Sequence, residues 1–297
     1  MKRTIAMLLL LALLAGCAAQ PAPDDPSSPS GPDPDHDGSA PEPVQVRLLD
    51  YALAQPEYPS FPTKPVFPEN GSASDWEAYD AALPQYEQGL SALRGEGLLP
   101  EEKDALRRFA AASLPLALAG HEGENAVYSP VSLWSALAML APCAQGESRE
   151  QVLTALGVDR TEALQDQVSR LWRSLYTDDG NNALVLANSI WLNSGLKGRY
   201  VQSTLDTLAQ KYFAGTYAVP MGTPAADQAI TNWISEQTHG LIGGGEPVVQ
   251  TIPEAAALLA SSLYYRAGWT DSFFEAFNTQ DIFTDAAGNE VRVDFMH

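Results

Sequence analysis

From residue 101 onward, apolar residues recur with either the helical or the strand period. A helix opens near Glu101, and Pro115 should kink it or end it early. The continuous apolar run 183–193 predicts a buried strand, and the alternation at 291–295 predicts a half-exposed one. A run of Ala and Leu that ends at 258–266 fits helix or strand, and we favour a strand buried on both faces. Four further segments, with apolar residues three to four positions apart, are predicted to be helices: 151–157, 162–176, 200–213 and 224–239.

One predicted helix is apolar on every side. Ser129 is a good N-cap, Pro130 a good first residue, and Pro142 ends the segment, which carries no charge. Such a helix must be enclosed by protein. Its hydroxyls, Ser132 and Ser135, each need a hydrogen-bond partner or cost about 1–3 kcal/mol. They either bond to carbonyls of their own helix four residues earlier, or belong to a polar site inside the core.

Residues 17–100 are predicted to be a disordered tether and spacer, and residues 101–297 a folded domain. The part 18–43 is mostly Pro, Asp, Ser, Gly and Ala, with little to bury. Residues 75–93 predict only a short, interrupted helix. Before this helix, between residues 56 and 68, a proline occurs at every third position, which is the repeat of polyproline II, and Tyr58, Phe61 and Phe67 lie between these prolines. This strip is either a docking strip for an aromatic groove or, as we favour, a stiff spacer. Its prolines are Pro56, Pro59, Pro62, Pro65 and Pro68.

The first residues predict export and a lipid anchor. Lys2 and Arg3 precede an apolar run too short to span a membrane, which is typical of a secretory signal over residues 1–16. The run closes on Leu-Ala-Gly-Cys17, which resembles a bacterial lipobox. We therefore expect a lipid on Cys17 and a secreted, membrane-anchored lipoprotein on the extracellular face of a bacterial cell. The alternative is an ordinary secretory signal with a chance cysteine.

Composition narrows the class of partner. The chain has 37 acidic and 17 basic residues, a formal net charge of −20, and therefore repels phosphate backbones, so we expect no nucleic acid. If Cys17 is lipidated, Cys143 has no partner for a disulfide, and the domain must rely on its core. The four histidines lie far apart, and no metal motif is present, so no metal or other cofactor is expected.

Six motifs, in their order along the chain, resemble those of the serpin family, the serine protease inhibitors. They begin near residue 104 and continue to the last residue. The first is at the apolar helix, and the last follows the segment 258–266. They are Asn125 with Ser129-Pro130, Ser132, Ala136-Leu137 and Met139; Glu147-Ser148 with Gln151-Val152-Leu153 and Leu156-Gly157-Val158; Ala187-Asn188-Ser189-Ile190-Trp191; Ile230-Thr231-Asn232-Trp233-Ile234 with Thr238 and Gly240; Leu263-Tyr264-Tyr265-Arg266 with Trp269; and the later landmarks Phe273, Thr279, Phe283 and Met296.

The resemblance implies an α+β fold, with N-terminal helices packed on a large, mainly antiparallel sheet. In serpins the apolar helix lies beneath this sheet, and its serines belong to a polar "shutter" where the central strands part. By this match the shutter residues are Asn125, Ser129, Ser132 and Ser261, and Trp269 lies at the top of the sheet, the "breach". Such inhibitors are cleaved at an exposed loop by a serine or cysteine protease, which acylates itself and is trapped as the loop inserts into the sheet. The implied partner is a target protease, and no residue of the chain is catalytic.

The sequence also departs from the family pattern. Ser261 stands where the family has a longer Asn, and Cys143, Leu241 and Ala267 replace a Gly, a Lys and a Gly. No reactive loop is recognised within residues 1–297. We therefore expect an incomplete form that would be poorly folded and would not inhibit a protease by itself.

Two other functions remain possible at this stage. A surface lipoprotein could bind a solute or polysaccharide through exposed aromatic residues, with Trp76, Tyr79, Trp172 and Trp191 as candidates. An enzyme is disfavoured because the chain has no Gly-x-Ser-x-Gly, P-loop or dinucleotide motif.

Overall fold

The computed structural model describes residues 46–297 apart from Glu122, Glu124, Arg199, Glu246, Thr270 and Ser272. Cys17, the predicted signal peptide and the predicted tether at 18–43 lie outside the described residues. Within the described part, the helices are α1 (Ala73–Arg94), α2 (Pro100–Ala117), α3 (Pro130–Ala138), α4 (Leu140–Cys143), α5 (Gly146–Leu156), α6 (Thr161–Leu175), α7 (Gln202–Tyr212) and α8 (Pro224–Gln237). The strands are β1 (Ala52–Ala54), β2 (Thr177–Asp178), β3 (Ala183–Asn193), β4 (Ala214–Val219), β5 (Ala257–Arg266), β6 (Thr279–Thr284) and β7 (Glu290–Phe295).

The main sheet is mostly antiparallel, as predicted. Its strand order is β1-β4-β3-β2, and β5 pairs with the other edge of β3. Only the β3–β4 pair is parallel among the strand pairs of this sheet in the described residues. The strands β6 and β7 form a separate hairpin. The strand predicted at 258–266 is therefore confirmed, although β5 exposes part of its length instead of being buried on both faces.

Helices cover both faces of the main sheet. On one face, Ile190 of β3 joins a core with Trp134 of α3, Leu171 of α6 and Leu208 of α7. On the other face, Trp191 joins a core formed largely by α8. Because successive side chains of a strand point to opposite faces, neighbouring residues of β3 contribute to two different cores.

Helix α3 is enclosed, as its apolar pattern predicts. Ser129 Oγ accepts a hydrogen bond from the Ser132 amide at 3.2 Å, and Pro130 is the first helical residue. No residue from Tyr128 to Pro142 is in the exposed class. The helix breaks at Met139, and the short α4 carries Pro142, so the predicted helix is divided in two.

The predicted tether and spacer over 17–100 is wrong from residue 46 onward, where the chain packs on the domain. The strand β1 pairs with β4, and α1 is one continuous helix despite Pro84. Tyr58 and Phe61 pack against a buried aromatic cluster. The first part of the polyproline strip is therefore docked on its own chain, whereas Phe67 is 57% exposed and packs its ring on Trp76 and Tyr79 of α1. Likewise α2 runs two residues past Pro115 before it ends.

Candidate functional site beneath the sheet

Four elements that pack around the same core, α3, α7, β3 and β5, carry polar side chains that are buried or partly buried beneath the main sheet. We call this set the polar cluster. Helix α3 packs against both β3 and β5, and α7 closes the same core. The members of the cluster are Ser129, Ser132, Ser135, Asn188, Tyr212 and Ser261.

The serines at the start of α3 are bonded to each other. Ser132 Oγ donates to Ser129 Oγ at 2.9 Å, while Ser129 Oγ also accepts from the Ser132 amide. The Ser135 hydroxyl is buried, with 2% of the residue exposed, and has no partner among the described residues. Back-bonding to carbonyls of the same helix is therefore not what these hydroxyls do. The Ser132 hydroxyl bonds instead to the N-cap of its own helix, and Ser135 contributes an unbonded hydroxyl to the core.

The two strands supply a facing pair of polar residues. Asn188 of β3 lies directly opposite Ser261 of β5, on the same face as the pair Ile190 and Leu259, which joins the α3 core. Asn188 Nδ2 donates to the carbonyl of Tyr212 at 3.5 Å. This places one amide and one hydroxyl side by side beneath the junction of β3 and β5.

The polar cluster has unused hydrogen-bonding capacity. Four buried atoms lack a partner within the described residues: Ser135 Oγ, Asn188 Oδ1, Tyr212 OH and Ser261 Oγ. Burial raises the pKa of Tyr212, so its hydroxyl stays protonated and remains a donor. Each such atom costs about 1–3 kcal/mol when it stays unpaired. A movement that brings a hydrogen-bonding group to any of these four atoms would therefore be stabilising.

The strand β5 borders this cluster with an open edge. It pairs with β3 along its whole length, and no second strand pairs with it in the part of the chain that the structure describes. Near its end, Leu263 and Tyr265 are 38% and 67% exposed. An open strand edge presents unpaired amides and carbonyls to any additional strand.

The remaining predicted site residues lie elsewhere. Asn125 is exposed in the segment before α3, so the structure does not place it in the polar cluster. Trp269 follows the end of β5, is 76% exposed and packs its edge on Phe273 with ring centroids 5.5 Å apart. Its position is at the end of the sheet, where the amide of Gly268 donates to the side chain of Asn182 at 3.2 Å.

The sequence analysis missed two members of the cluster. Asn188 was quoted as part of a motif but not as a site residue, although it is the polar interruption of an apolar strand, at an alternate position to Ile190. Tyr212 gave no such signal, because it lies within the apolar stripe of α7. Its place in the cluster depends on how α7 packs beneath the sheet.

Two of the four aromatic candidates for solute binding are core residues, whereas Trp76 is 38% exposed and Tyr79 is half-buried on α1. Trp172 and Trp191 are 1% and 0% exposed, so neither can reach a ligand at the surface. Among the described residues, no group of three His, Cys, Asp or Glu side chains is placed to hold a metal ion. Among the helices described, none combines the length and the apolar character needed to cross a membrane.

Comparisons with known proteins agree with this geometry. The family model for serpins, serine protease inhibitors, matches residues 104–297. Serpin-ZXA of Oryza sativa subsp. japonica is 31% identical over 200 residues, which cover 65% of this chain and 50% of that protein. Serpin-Z1C of Triticum aestivum is 32% identical over 178 residues, with 58% and 44% covered. The chain belongs to the serpin family, and it spans about half the length of the curated relatives it matches.

Solved serpins share the fold. The thermophilic serpin tengpin in its latent state superimposes with a TM-score of 0.58 and 27% identity, covering 68% of this chain and 54% of that one. The native stressed conformation of Arabidopsis AtSerpin1 gives a TM-score of 0.58 at 22% identity, covering 68% and 52%, and so supports the fold alone. The predicted α+β class and the serpin resemblance are both confirmed. The serpin family comprises protease inhibitors, and the prediction that the chain is not an enzyme agrees with this membership.

Proposed function

We propose that this chain works as part of a serpin-type peptidase inhibitor, in which the main sheet accepts an additional strand beside β5. The observation that supports this most strongly is the open edge of β5 above a polar cluster with unused hydrogen-bonding capacity. The target is a protease of the serine or cysteine type, trapped when its cleaved loop inserts. No segment of residues 1–297 is assigned to that loop.

Backbone pairing favours insertion, and exchangeable polar contacts lower its cost. A strand added to β5 pairs backbone groups along that edge, and each hydrogen bond contributes about 0.5–1.5 kcal/mol net. Widening the sheet also moves β5 over α3. Hydroxyls can exchange partners during such a movement, whereas an interlocked apolar contact has to be broken. We propose that Ser129, Ser132 and Ser261, which the shutter assignment includes, serve as these exchangeable groups, and that the buried hydroxyl of Ser135 joins them.

We further propose that Cys17 carries a lipid that anchors the protein to the extracellular face of a bacterial cell. The sequence Leu-Ala-Gly-Cys after a short apolar run supports this. Labelled fatty acid fed to bacteria that express the full chain should be incorporated into it. The substitution Cys17→Ser should abolish the label, and label that persists in this variant would exclude the anchor.

Strand insertion can be tested on the chain as it exists. A synthetic peptide of twelve residues, alternating threonine and alanine, is titrated into the protein while the thermal midpoint is followed. We expect the midpoint to rise by several degrees at saturation, because a ligand at 100 times its Kd stabilises the folded state by about 2.7 kcal/mol. The control peptide has the same composition apart from a central proline, which removes a strand amide. Equal shifts with both peptides, or no shift, would contradict the proposal.

A further inference from the structure

Residues 46–61 form a continuous segment, which we call the strap, outside the part of the chain that matches the serpin model. The strap begins on α8. Val46, Leu48 and Tyr51 pack against the core that contains Trp233 and Ile230. Asn232 Nδ2 also donates to the carbonyl of Val46 at 3.2 Å. The start of the strap is therefore fixed on the α8 face of the sheet.

The middle of the strap completes an edge of the sheet. Ala52 and Ala54 of β1 lie opposite Tyr217 and Thr216 of β4 in antiparallel register. The Ala218 amide donates to the carbonyl of Tyr51 at 2.8 Å, and Tyr217 OH donates to Gln55 Oε1 at 3.2 Å. These bonds occupy the outer edge of β4, which no other strand of the described residues covers.

The end of the strap reaches the opposite face. The ring of Tyr58 lies 5.0 Å from that of Trp172 in α6 and 6.4 Å from that of Phe213, centroid to centroid. Trp172 and Phe213 themselves stack at 3.8 Å. Phe61 packs its edge on Tyr176 at 5.9 Å. Burial raises the pKa of Tyr58, which agrees with a side chain inserted into the protein.

The strap therefore contacts α8, the edge strand β4 and the α6 face within sixteen residues. We infer that the strap is a conformational clamp, which holds α8, β4 and α6 in fixed relation by binding both faces and one edge of the sheet at once. Each of the three contacts involves only a few residues. Once one of them has formed, the rest of the strap is held close to its other two binding surfaces, so the three contacts stabilise one another. This inference does not depend on the proposed inhibitory function.

The clamp is incompletely packed, which distinguishes it from the permanent core. A cavity of about 320 Å³ separates the strap from the end of α8, and its lining includes Gln55, Tyr58, Tyr217 and Glu236. Atoms that face a cavity lack contacts on one side, so they contribute less dispersion energy than core atoms. The strap can therefore detach at a lower free energy than global unfolding, and its detachment frees β4 and α8.

Hydrogen exchange of the full chain tests the clamp. The variant Tyr58→Ala removes the ring from the aromatic cluster, and the matched control Glu57→Ala changes an exposed neighbour on the same strap. We expect Tyr58→Ala to accelerate exchange at least tenfold in β4 and in the last turns of α8. Amides of α5 and of the β6–β7 hairpin, which the strap does not contact, should keep their rates, and Glu57→Ala should change neither group.

Two results would overturn the inference. One is exchange in β4 and α8 that Tyr58→Ala leaves unchanged, and the other is acceleration by the same factor in every element. If Tyr58→Ala unfolds the whole domain, Gln55→Ala provides the decisive test, because it removes the partner of the Tyr217 hydroxyl and otherwise only a hydrogen bond to the adjacent carbonyl of Ala54. That variant should give the same local pattern with at least a threefold acceleration, and rates equal to those of the unmodified chain would count against the clamp.

Discussion

Asn188 of β3 lies directly opposite Ser261 of β5, and each side chain has an oxygen without a partner among the described residues. The pair lies on the face of the sheet that packs on α3. Strands in a stable sheet usually bury apolar pairs at such a position, and a polar pair contributes less when it is not fully bonded. The pair of Asn188 and Ser261 therefore stabilises the junction of β3 and β5 less than an apolar pair would, and it leaves two oxygen atoms able to accept hydrogen bonds.

The first prediction concerns the buried hydroxyl of Ser135. We expect Ser135→Ala to increase the free energy of unfolding by about 1 kcal/mol, because the methyl group replaces a hydroxyl that has no partner. Alanine is also the better helix former. Urea unfolding followed by circular dichroism measures the change. A loss of stability would show that this hydroxyl is bonded in the native protein.

The second prediction is the opposite effect at the helix N-terminus. Ser129→Ala should lower the free energy of unfolding by about 1–2 kcal/mol, since it removes the N-cap of α3 and the acceptor of the Ser132 hydroxyl. The same urea experiment applies. Ser129→Asp, which restores a capping oxygen, should recover part of the loss, and equal losses in both variants would argue against the capping role.

The third prediction concerns the partly buried ion pair between Glu102 of α2 and Arg170 of α6. Glu102 is 8% exposed, so without Arg170 its carboxylate loses its charged partner and keeps the hydrogen bond from the Leu99 amide at 2.9 Å. We expect Arg170→Ala to destabilise the fold by about 2 kcal/mol. The control Arg107→Ala breaks the exposed pair with Asp104 and should cost less than about 1 kcal/mol. Similar losses in the two variants would contradict this difference in burial.

The fourth prediction is a pH dependence at the turn before β3. Hydrogen bonds from the Asn182 amide, its side chain and the Asn181 amide lower the pKa of Asp179. A carboxyl whose pKa is lower in the folded state stabilises the fold above its ordinary pKa, and this contribution is lost as the pH falls below about 4.

Asp179→Ala should therefore lower the urea midpoint at pH 7, and the difference from the unmodified chain should shrink by pH 3. Asp159→Ala, at an exposed position where the structure shows no side-chain hydrogen bond to the carboxylate among the described residues, provides the comparison. A difference that stays constant between the two pH values would mean that the Asp179 carboxylate does not act through its charge.

Local patterns were sufficient to predict most of the domain. Ser129-Pro130 marks the start of α3, and Gly157 adopts the left-handed conformation that ends α5, because such signals act within one turn of chain. The strand β3 was predicted with its observed bounds from its apolar run. The strand β4 was missed, since six residues of small and mixed side chains carry little periodicity.

The parts that could not be predicted depend on distant partners. Tyr58 packs on Trp172 and Phe213, which lie more than a hundred positions further along the chain. The proline-rich sequence around Tyr58 was therefore interpreted as a stiff spacer. Asn188 and Ser261 meet only through strand register, which a single sequence does not specify. Asn125, assigned to the shutter by resemblance, is exposed in the segment before α3.

The central claim is that the open edge of β5, above the polar cluster, receives an additional strand. Hydrogen exchange of the full chain with the threonine-alanine peptide bound tests its location. We expect protection of at least tenfold at alternate amides of residues 257–266, with no change in β4 on the far side of the sheet. Protection confined to β4 or to the β6–β7 hairpin, with β5 unchanged, would contradict the account.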